Sequence, residues 1–308
     1  MRSDKRKMKY AVVQDGKIYI ADEEHWITVR GDDGRGQHVL INENGDIISG
    51  LGGKFKNLRE LHKNDRNYES GLSKGLGRQH YDAVRRRIEA CKNEKFKSFW
   101  KSAESKIEVG DAHHTGTSHC SGEKIFVNID KDADKAEWWK RPYETTIHES
   151  GHAIDRAFSP AAGTTFSVRY KNGLFAKTIL SEVEERMNEA RAELRKYHSN
   201  PSRVRAYKEF YTDIQRNYKT IAWGNISDIL EAATKGTIGY GHGTDYWRRV
   251  DRVHGTNAGL AIEAFAEMTA ATAVNPKALA AIKQYLPKSY AVYEEMIEEI
   301  TKRGQGEK

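Results

Sequence analysis

The stretch TTIHESGHAID, residues 145–155, places two histidines and a glutamate on what its spacing predicts to be one helix. Residues four apart lie on the same helix face, so His148 and His152 would project side by side, as two imidazole ligands of one Zn²⁺ require. Glu149 is rotated by about 100° from His148. From there its carboxylate could accept a proton from water beside the metal. The stretch therefore predicts a helical zinc centre with Glu149 as general base.

The residues around this motif favour a metal site over a chance match. Ile147, Ala153 and Ile154 make the other faces of the helix apolar. A buried helix carrying this polar group would be costly without a metal, although a motif with three fixed positions does arise by chance. Asp155 lies three residues beyond His152 on the same face, where it could orient a ligand.

A third ligand has to come from elsewhere in the chain. The long metzincin pattern needs glycine at position 155 and histidine or aspartate at 158, and Asp155 and Phe158 exclude it. The stretch AIEAFAEMTAA, residues 261–271, predicts a small apolar helix with Glu263 and Glu267 one turn apart, where two carboxylates repel unless a cation is near. We predict Glu263 as the third ligand and Glu267 as a partner of a ligating histidine, and the reverse assignment stays open.

These segments resemble a known family. HESGHAID (148–155), EAFAEMTA (263–270) and YAVYEEMIEEI (290–300) are similar in order and sequence to the gluzincin metallopeptidases of the anthrax lethal factor and Pro-Pro endopeptidase type. The resemblance covers roughly residues 120–160 and 255–300. It implies a zincin fold that binds Zn²⁺ through His148, His152 and Glu263, with Glu149 as base.

A second resemblance concerns the N-terminal stretch HWITVRGDDGRGQHVLINENGDIISGLGGKF, residues 25–55. It is similar to the opening of minor head and morphogenesis proteins of bacteriophages. This implies a chain encoded by a phage or prophage, with phage head proteins among its partners. The implied location is the bacterial host cytoplasm or the virion.

The chain departs from the peptidase pattern in two ways. Glu263 follows His152 by 111 residues, a long interval in which an exposed helical arm at about 181–220 and a glycine-rich loop at 236–247 look like an insertion. The family also has a tyrosine seven residues before the ligand glutamate, where it donates to the oxyanion, and this chain has Thr256 there.

Another donor must therefore stabilise the oxyanion. The loop GTIGYGHGTDYW, residues 236–247, combines glycines with side-chain donors. We select Tyr246 and His242 as catalytic donors, with Tyr240 and His254 as further candidates. The alternative is an ordinary turn that a buried Tyr246-Trp247 pair anchors.

The remaining patterns predict an α+β fold, mostly helical with a small sheet. Residues 1–55 are a β-rich segment, with hairpins around Asp15-Gly16 and Asn44-Gly45, and residues 56–308 are a zincin-like metallopeptidase domain. The elements predicted in that domain are a helix over 81–107, a strand over 123–130, a helix from Pro142, two helices over 181–220 separated at Pro201, and helices over 258–272 and 276–302.

A second histidine-rich stretch, DAHHTGTSHC at residues 111–120, lacks the paired spacing of a structural zinc site. We interpret it as a polar loop that leads into the strand at 123–130. By analogy with zincins, that strand would form the edge of the cleft, where a substrate could pair as an added strand.

The composition of the chain limits the kinds of function and partner that we expect. Hydrophobic residues are 38% of the chain and charged residues 31%, with no stretch of about 20 apolar residues, so we expect no membrane partner and, without an apolar leader, no signal peptide. Two cysteines without a paired motif favour free thiols. The formal charge of +7 is interleaved with acidic residues except at the N-terminal basic run, residues 2–9, so a nucleic-acid partner is disfavoured.

The sequence thus favours a zinc-dependent endopeptidase that hydrolyses peptide bonds in a protein or peptide substrate. The main alternative is a structural phage head-associated protein with a non-catalytic zinc site, in which another residue closes the fourth position. A basic accessory protein that binds nucleic acid through residues 1–9 is the third hypothesis.

Overall fold

The computed structural model describes the backbone of five N-terminal strands and, with side chains except at 220–223, residues 70–133, 140–218 and 220–306. The chain divides into two compact units, Met1–Glu69 and Ser70–Lys308. Residues 51–69 lie outside the described part, so the boundary near residue 55 stays a prediction. The basic residues 2–8 also lie outside it.

The first unit contains one five-stranded sheet. Its strands are β1 (Lys9–Gln14), β2 (Lys17–Ile20), β3 (His25–Arg30), β4 (Gly36–Ile41) and β5 (Ile47–Gly50), in the order β2-β1-β3-β4-β5. β1 pairs antiparallel with β2, and β4 pairs antiparallel with β5, which confirms both predicted hairpins. β1 and β3 run parallel. The predicted turn residues themselves lie outside the described part.

The second unit is mostly helical. Its helices are α1 (Gly71–Ala90), α2 (Glu94–Ala103), α3 (Ile129–Ala133), α4 (Glu144–Ala157), α5 (Phe166–Arg169), α6 (Leu174–Leu194), α7 (Arg203–Asn217), α8 (Thr220–Thr234), α9 (Thr244–His254), α10 (Ala258–Val274), α11 (Pro276–Tyr285) and α12 (Pro287–Gly304). Together with a small sheet these helices confirm the α+β class.

Two predicted helices are broken. The helix expected over 81–107 is α1 and α2, because Asn93 caps a new helix by accepting a hydrogen bond from the Phe96 N–H. The helix expected over 276–302 is α11 and α12, because Pro287 disfavours a helical Leu286 and starts α12 instead.

The small sheet comprises β6 (Glu108–Asp111), β7 (His119–Ser121) and β8 (Lys124–Phe126), in the order β6-β8-β7. The strand predicted over 123–130 is therefore too long, since Ile129 begins α3. It is also the central strand of the described sheet and not an edge strand, and α4 packs against both β7 and β8. Ile125, Val127 and Ile129 are nevertheless all fully buried, as their alternation predicts.

The histidine-rich stretch is only partly a loop, because His119 and Cys120 belong to β7. The His119 ring stacks on Phe126, with centroids 4.8 Å apart. His113 instead pairs with Asp130 at 2.9 Å. Both cysteines are free thiols, as predicted.

α10 lies at the centre of the second unit. It packs against α4, α8, α9 and α11, and almost every one of its side chains is buried. The two helices predicted over 181–220 are present as α6 and α7, but they are not an exposed arm. Val183 and Met187 of α6 and Phe210 and Ile214 of α7 are buried, because both helices turn an apolar face toward the unit. Their status as an insertion stays a prediction.

Candidate metal centre

The helix that carries the motif, α4, is fixed at its start by a residue from another helix. Tyr143 precedes it in a left-handed conformation with φ 64° and makes no side-chain cap. The Asp132 carboxylate of α3 accepts hydrogen bonds from the Thr146 N–H at 2.7 Å and from the Thr145 N–H at 3.3 Å. A carboxylate there also suits the positive end of the helix dipole. The first turn of α4 is therefore held from outside the helix.

α4 approaches α10 closely at Gly151. A Cβ at this position would lie 3.0 Å from the Ala266 Cα and 3.3 Å from the Thr269 Cβ. Ile147 and Ile154 of α4 are fully buried on either side of this contact. The close packing brings the histidine face of α4 next to the acidic face of α10.

Three side chains from these two helices converge. The Nε2 atoms of His148 and His152 lie 3.1 Å apart, and the Glu263 Oε2 lies 3.5 Å from the first and 3.4 Å from the second. Donors about 2.0–2.1 Å from a tetrahedral zinc ion lie about 3.3 Å from one another. The three side chains therefore have the mutual spacing of zinc ligands.

The hydrogen bonding of this group also fits a cation. A single N–H shared between the imidazoles would explain the 3.1 Å contact. It would leave the Glu263 Oε2 unsatisfied, since this fully buried atom receives no hydrogen bond from any described residue. A buried carboxylate oxygen without a partner is costly, and a metal ion would satisfy it.

Glu267 lies on the other side of His148. Its Oε1 is 3.3 Å from the His148 Nδ1, and its Oε2 accepts a hydrogen bond of 2.6 Å from the Asn225 side chain in α8. A carboxylate that holds the second nitrogen of a ligating imidazole fixes the ring and its tautomer. The sequence left two assignments open. The geometry supports Glu263 as the third ligand, next to both imidazoles, and Glu267 as the partner of the second nitrogen of His148.

The electrostatics of the site favour positive charge. Burial disfavours the protonated imidazole of His148, but the carboxylates of Glu267 and Glu263 outweigh it and raise the pKa of His148 well above its usual value. Burial also opposes ionisation of Glu263, yet the charge of His152 and the contact with His148 hold the pKa of this carboxyl well below its usual range. A cation at this position would meet an ionised carboxylate.

Glu149, the residue after His148, is a buried carboxylate of α4. It is only 6% exposed, and α4 packs against β7 and β8. Burial raises the pKa of the Cys120 thiol in β7 to about 12, and the nearby Glu149 carboxylate adds to this effect. The Glu149 carboxylate is thus close enough to affect both the Cys120 thiol and the His148 imidazole, and it is not among the three converging donors.

Asp155 does not orient a ligand as predicted. Its carboxylate accepts hydrogen bonds of 2.6 Å from both the N–H and the hydroxyl of Ser167, at the start of α5. The His152 Nδ1 has no hydrogen-bond partner among the described residues. Asp155 instead ties α4 to α5.

Tyr246 and His242 both reach Glu263. The Tyr246 hydroxyl donates to the Glu263 Oε1 at 2.6 Å, and the His242 Nε2 lies 3.5 Å from the Glu263 Oε2. Their rings stack with centroids 4.1 Å apart. Burial and the Glu263 carboxylate raise the pKa of Tyr246 well above its usual value, so it stays a protonated donor.

The other two donor candidates have different neighbours. Tyr240 is half exposed, and its backbone N–H donates to the Ser227 hydroxyl at 2.9 Å. The His254 Nδ1 contacts the Gly163 carbonyl at 3.0 Å. Tyr246 and His242 are thus the two candidates that the structure brings to the metal centre.

The loop predicted over 236–247 is shorter than expected, because α9 begins at Thr244. Glu231 of α8 fastens it by accepting hydrogen bonds from the His242 N–H at 2.9 Å and from the Trp247 indole at 3.2 Å. Trp247 is buried, whereas Tyr246 is half-buried and turned toward Glu263. The loop is therefore both anchored, as the alternative interpretation held, and placed at the site.

The sequence interpretation missed a polar face on α8. Asn225, Asp228 and Glu231 recur at three-residue spacing in an otherwise apolar stretch, a pattern that predicts one polar helix face. Asp228 lies 3.5 Å from the His242 Nε2. Burial and the charges of Glu263 and Glu267 raise the pKa of Asp228 well above its usual value.

No family model, curated protein or solved structure matches this chain. Among its described residues, none of the helices combines the length and apolarity that crossing a membrane requires.

Proposed function

We propose that this chain is a zinc-dependent endopeptidase of the gluzincin type. His148, His152 and Glu263 would hold the metal, and Glu149 would act as general base. The substrate class is a protein or peptide.

The observation that carries this proposal is the convergence of three donors from two helices more than a hundred residues apart in sequence. The mutual distances of 3.1, 3.4 and 3.5 Å match a zinc-binding set, and the Glu263 Oε2 lacks any other partner among the described residues. The His₂Glu set is also typical of catalytic sites, which keep a fourth position open.

A zinc ion bound here supplies Lewis acidity, which favours loss of a proton from water near pH 7 and polarises a peptide carbonyl. Glu149, beside the two imidazoles, accepts the proton of the attacking water and can return it to the leaving amine. The Tyr246 hydroxyl and the His242 imidazole donate to the oxyanion that develops on the carbonyl. Glu267 keeps the His148 ring in place.

The zincin-like fold is part of the same proposal. Its support is the motif helix α4, packed on one side against α10 with the third donor and on the other against β7 and β8. A phage origin rests on residues 25–55, whose side chains lie outside the described part, and it stays a prediction.

The deciding experiment compares wild type with Glu149→Gln. Glutamine keeps the shape of the side chain but cannot accept the proton, so kcat/KM against a peptide library should fall by about 10²–10⁴-fold. The zinc content of the purified proteins, measured by mass spectrometry of the metal, should stay equal. Glu295→Gln, at an exposed glutamate of α12 that pairs with Lys171, is the matched control and should keep full activity.

Two outcomes would count against the proposal. Zinc bound equally in both proteins, with no cleavage of any peptide by wild type, would favour the structural zinc site. Wild type without zinc would remove the metal centre altogether.

A further inference from the structure

A second cluster of donors lies beside the first. Asp228 of α8, His242 of the loop and Glu263 of α10 form one of the two groups of described residues whose ligand atoms lie within metal-binding range of one another. The His242 Nε2 is 3.5 Å from the Asp228 Oδ2 and 3.5 Å from the Glu263 Oε2. The Glu263 Oε2 therefore lies within 3.5 Å of nitrogens of His148, His152 and His242.

Asp228 is the unusual member of this cluster. It is only 8% exposed, and its Oδ1 has no hydrogen-bond partner among the described residues. A buried carboxylate is normally paired or bound to a metal, because its desolvation is otherwise uncompensated.

The loop is shaped around this carboxylate. A Cβ at Gly241 would lie 2.1 Å from the Asp228 Oδ1, so a larger residue there would displace this carboxylate. The next residue is His242, whose N–H is bound by Glu231 at 2.9 Å. The close passage at Gly241 and the Glu231 contact together aim the imidazole at Asp228 and Glu263.

The donor set itself suits a divalent cation, since it offers two carboxylates and one imidazole. Nitrogen and oxygen donors together suit zinc and other divalent transition metals.

We propose that Asp228, His242 and Glu263 bind a second divalent metal ion, which shares the Glu263 carboxylate with the first. The proposal extends the proposed peptidase centre, since Glu263 belongs to both sites. With the second ion bound, His242 is a metal ligand, and Tyr246 is the remaining oxyanion donor. The second ion has fewer imidazole ligands and a more exposed one, His242, so it binds more weakly. It fills when zinc is added, whereas the first ion stays bound through purification.

The test is a zinc titration of the full chain by equilibrium dialysis, with metal and protein measured independently. Wild type should retain one equivalent after purification and bind two at saturation. Asp228→Asn keeps the shape of the side chain and removes its charge, so its saturation value should fall to one. Glu149→Gln, which removes a nearby charge that belongs to neither ligand set, should keep both.

His242→Gln provides a second variant, at a half-exposed side chain, if Asp228→Asn does not fold. It too should bind one equivalent. Saturation of wild type at one equivalent would overturn the second site and leave the first intact, and a protonated His242 would then pair with Asp228 and Glu263. Two equivalents in both variants would also overturn it. Wild type without any zinc would overturn this proposal together with the proposed function.

Discussion

At the residue scale, the geometry of Tyr246 is compatible with two roles. Its hydroxyl donates to the Glu263 Oε1 at 2.6 Å, so it either steadies a ligand or turns to the substrate oxyanion. Tyr246→Phe separates these roles because it keeps the ring that stacks on His242. We expect kcat to fall by about 10²–10³-fold, as for the loss of one oxyanion donor, with KM and zinc content little changed.

Steady-state kinetics and metal analysis check this prediction. Tyr240→Phe, at a half-exposed tyrosine of the same loop, is the matched control and should keep kcat. If Tyr246→Phe lost zinc in proportion to activity, Tyr246 would be a support of Glu263 and not an oxyanion donor.

The site residues that could be predicted from sequence are those that a pattern within a single helix identifies. His148, Glu149 and His152 share one helical turn, and an acidic pair on an apolar helix marks Glu263 and Glu267. The role of Asp155 could not be read in this way, because its partner Ser167 is brought to it only by the packing of α5. Asp228 depends likewise on a loop that returns to α8.

At the element scale, the position of Glu263 relative to the histidines depends on how closely α4 approaches α10. Gly151→Ala tests this contact. Alanine favours a helix by about 1 kcal/mol over glycine, but overpacking costs about 1–3 kcal/mol. Since the new Cβ would lie 3.0 Å from the Ala266 Cα, a backbone atom that cannot turn aside, we expect overpacking to prevail and the free energy of unfolding to fall.

Urea denaturation of the metal-free proteins measures this change. Gly151→Ser is the graded comparison and should lose more, because its side chain is larger at the same contact. A Gly151→Ala protein more stable than wild type would show that the helices can separate without cost.

Element boundaries were the least predictable part of the fold. Pro287 is a visible signal that the terminal helix is broken, and Asn128 is a weaker signal that the strand ends, since its side chain accepts a hydrogen bond from the Lys131 N–H at 3.0 Å and caps α3. The apolar alternation through Ile129 suits a strand, but Ile129 is buried from the first turn of α3. The burial of Ile129 could therefore be predicted from the sequence, whereas its helical conformation could not.

At the scale of the whole molecule, every residue of the proposed centre and the core around α10 belong to the unit Ser70–Lys308. The metal would join α4 to α10, two helices that a long stretch of chain separates in sequence.

A ligand that binds the folded state alone stabilises it, by about 2.7 kcal/mol at a concentration 100 times its Kd. A chain that begins at Ser70 should therefore fold cooperatively, and zinc should raise its Tm by about 5–10 °C, the shift such a free energy gives in a domain of this size. Calorimetry with zinc and with a chelator measures the difference, with His148→Gln as the variant whose Tm should respond little. An insoluble fragment would show that the N-terminal unit is needed for folding. A soluble fragment with the same Tm in the presence and absence of zinc would show that the two helices are not joined by a metal.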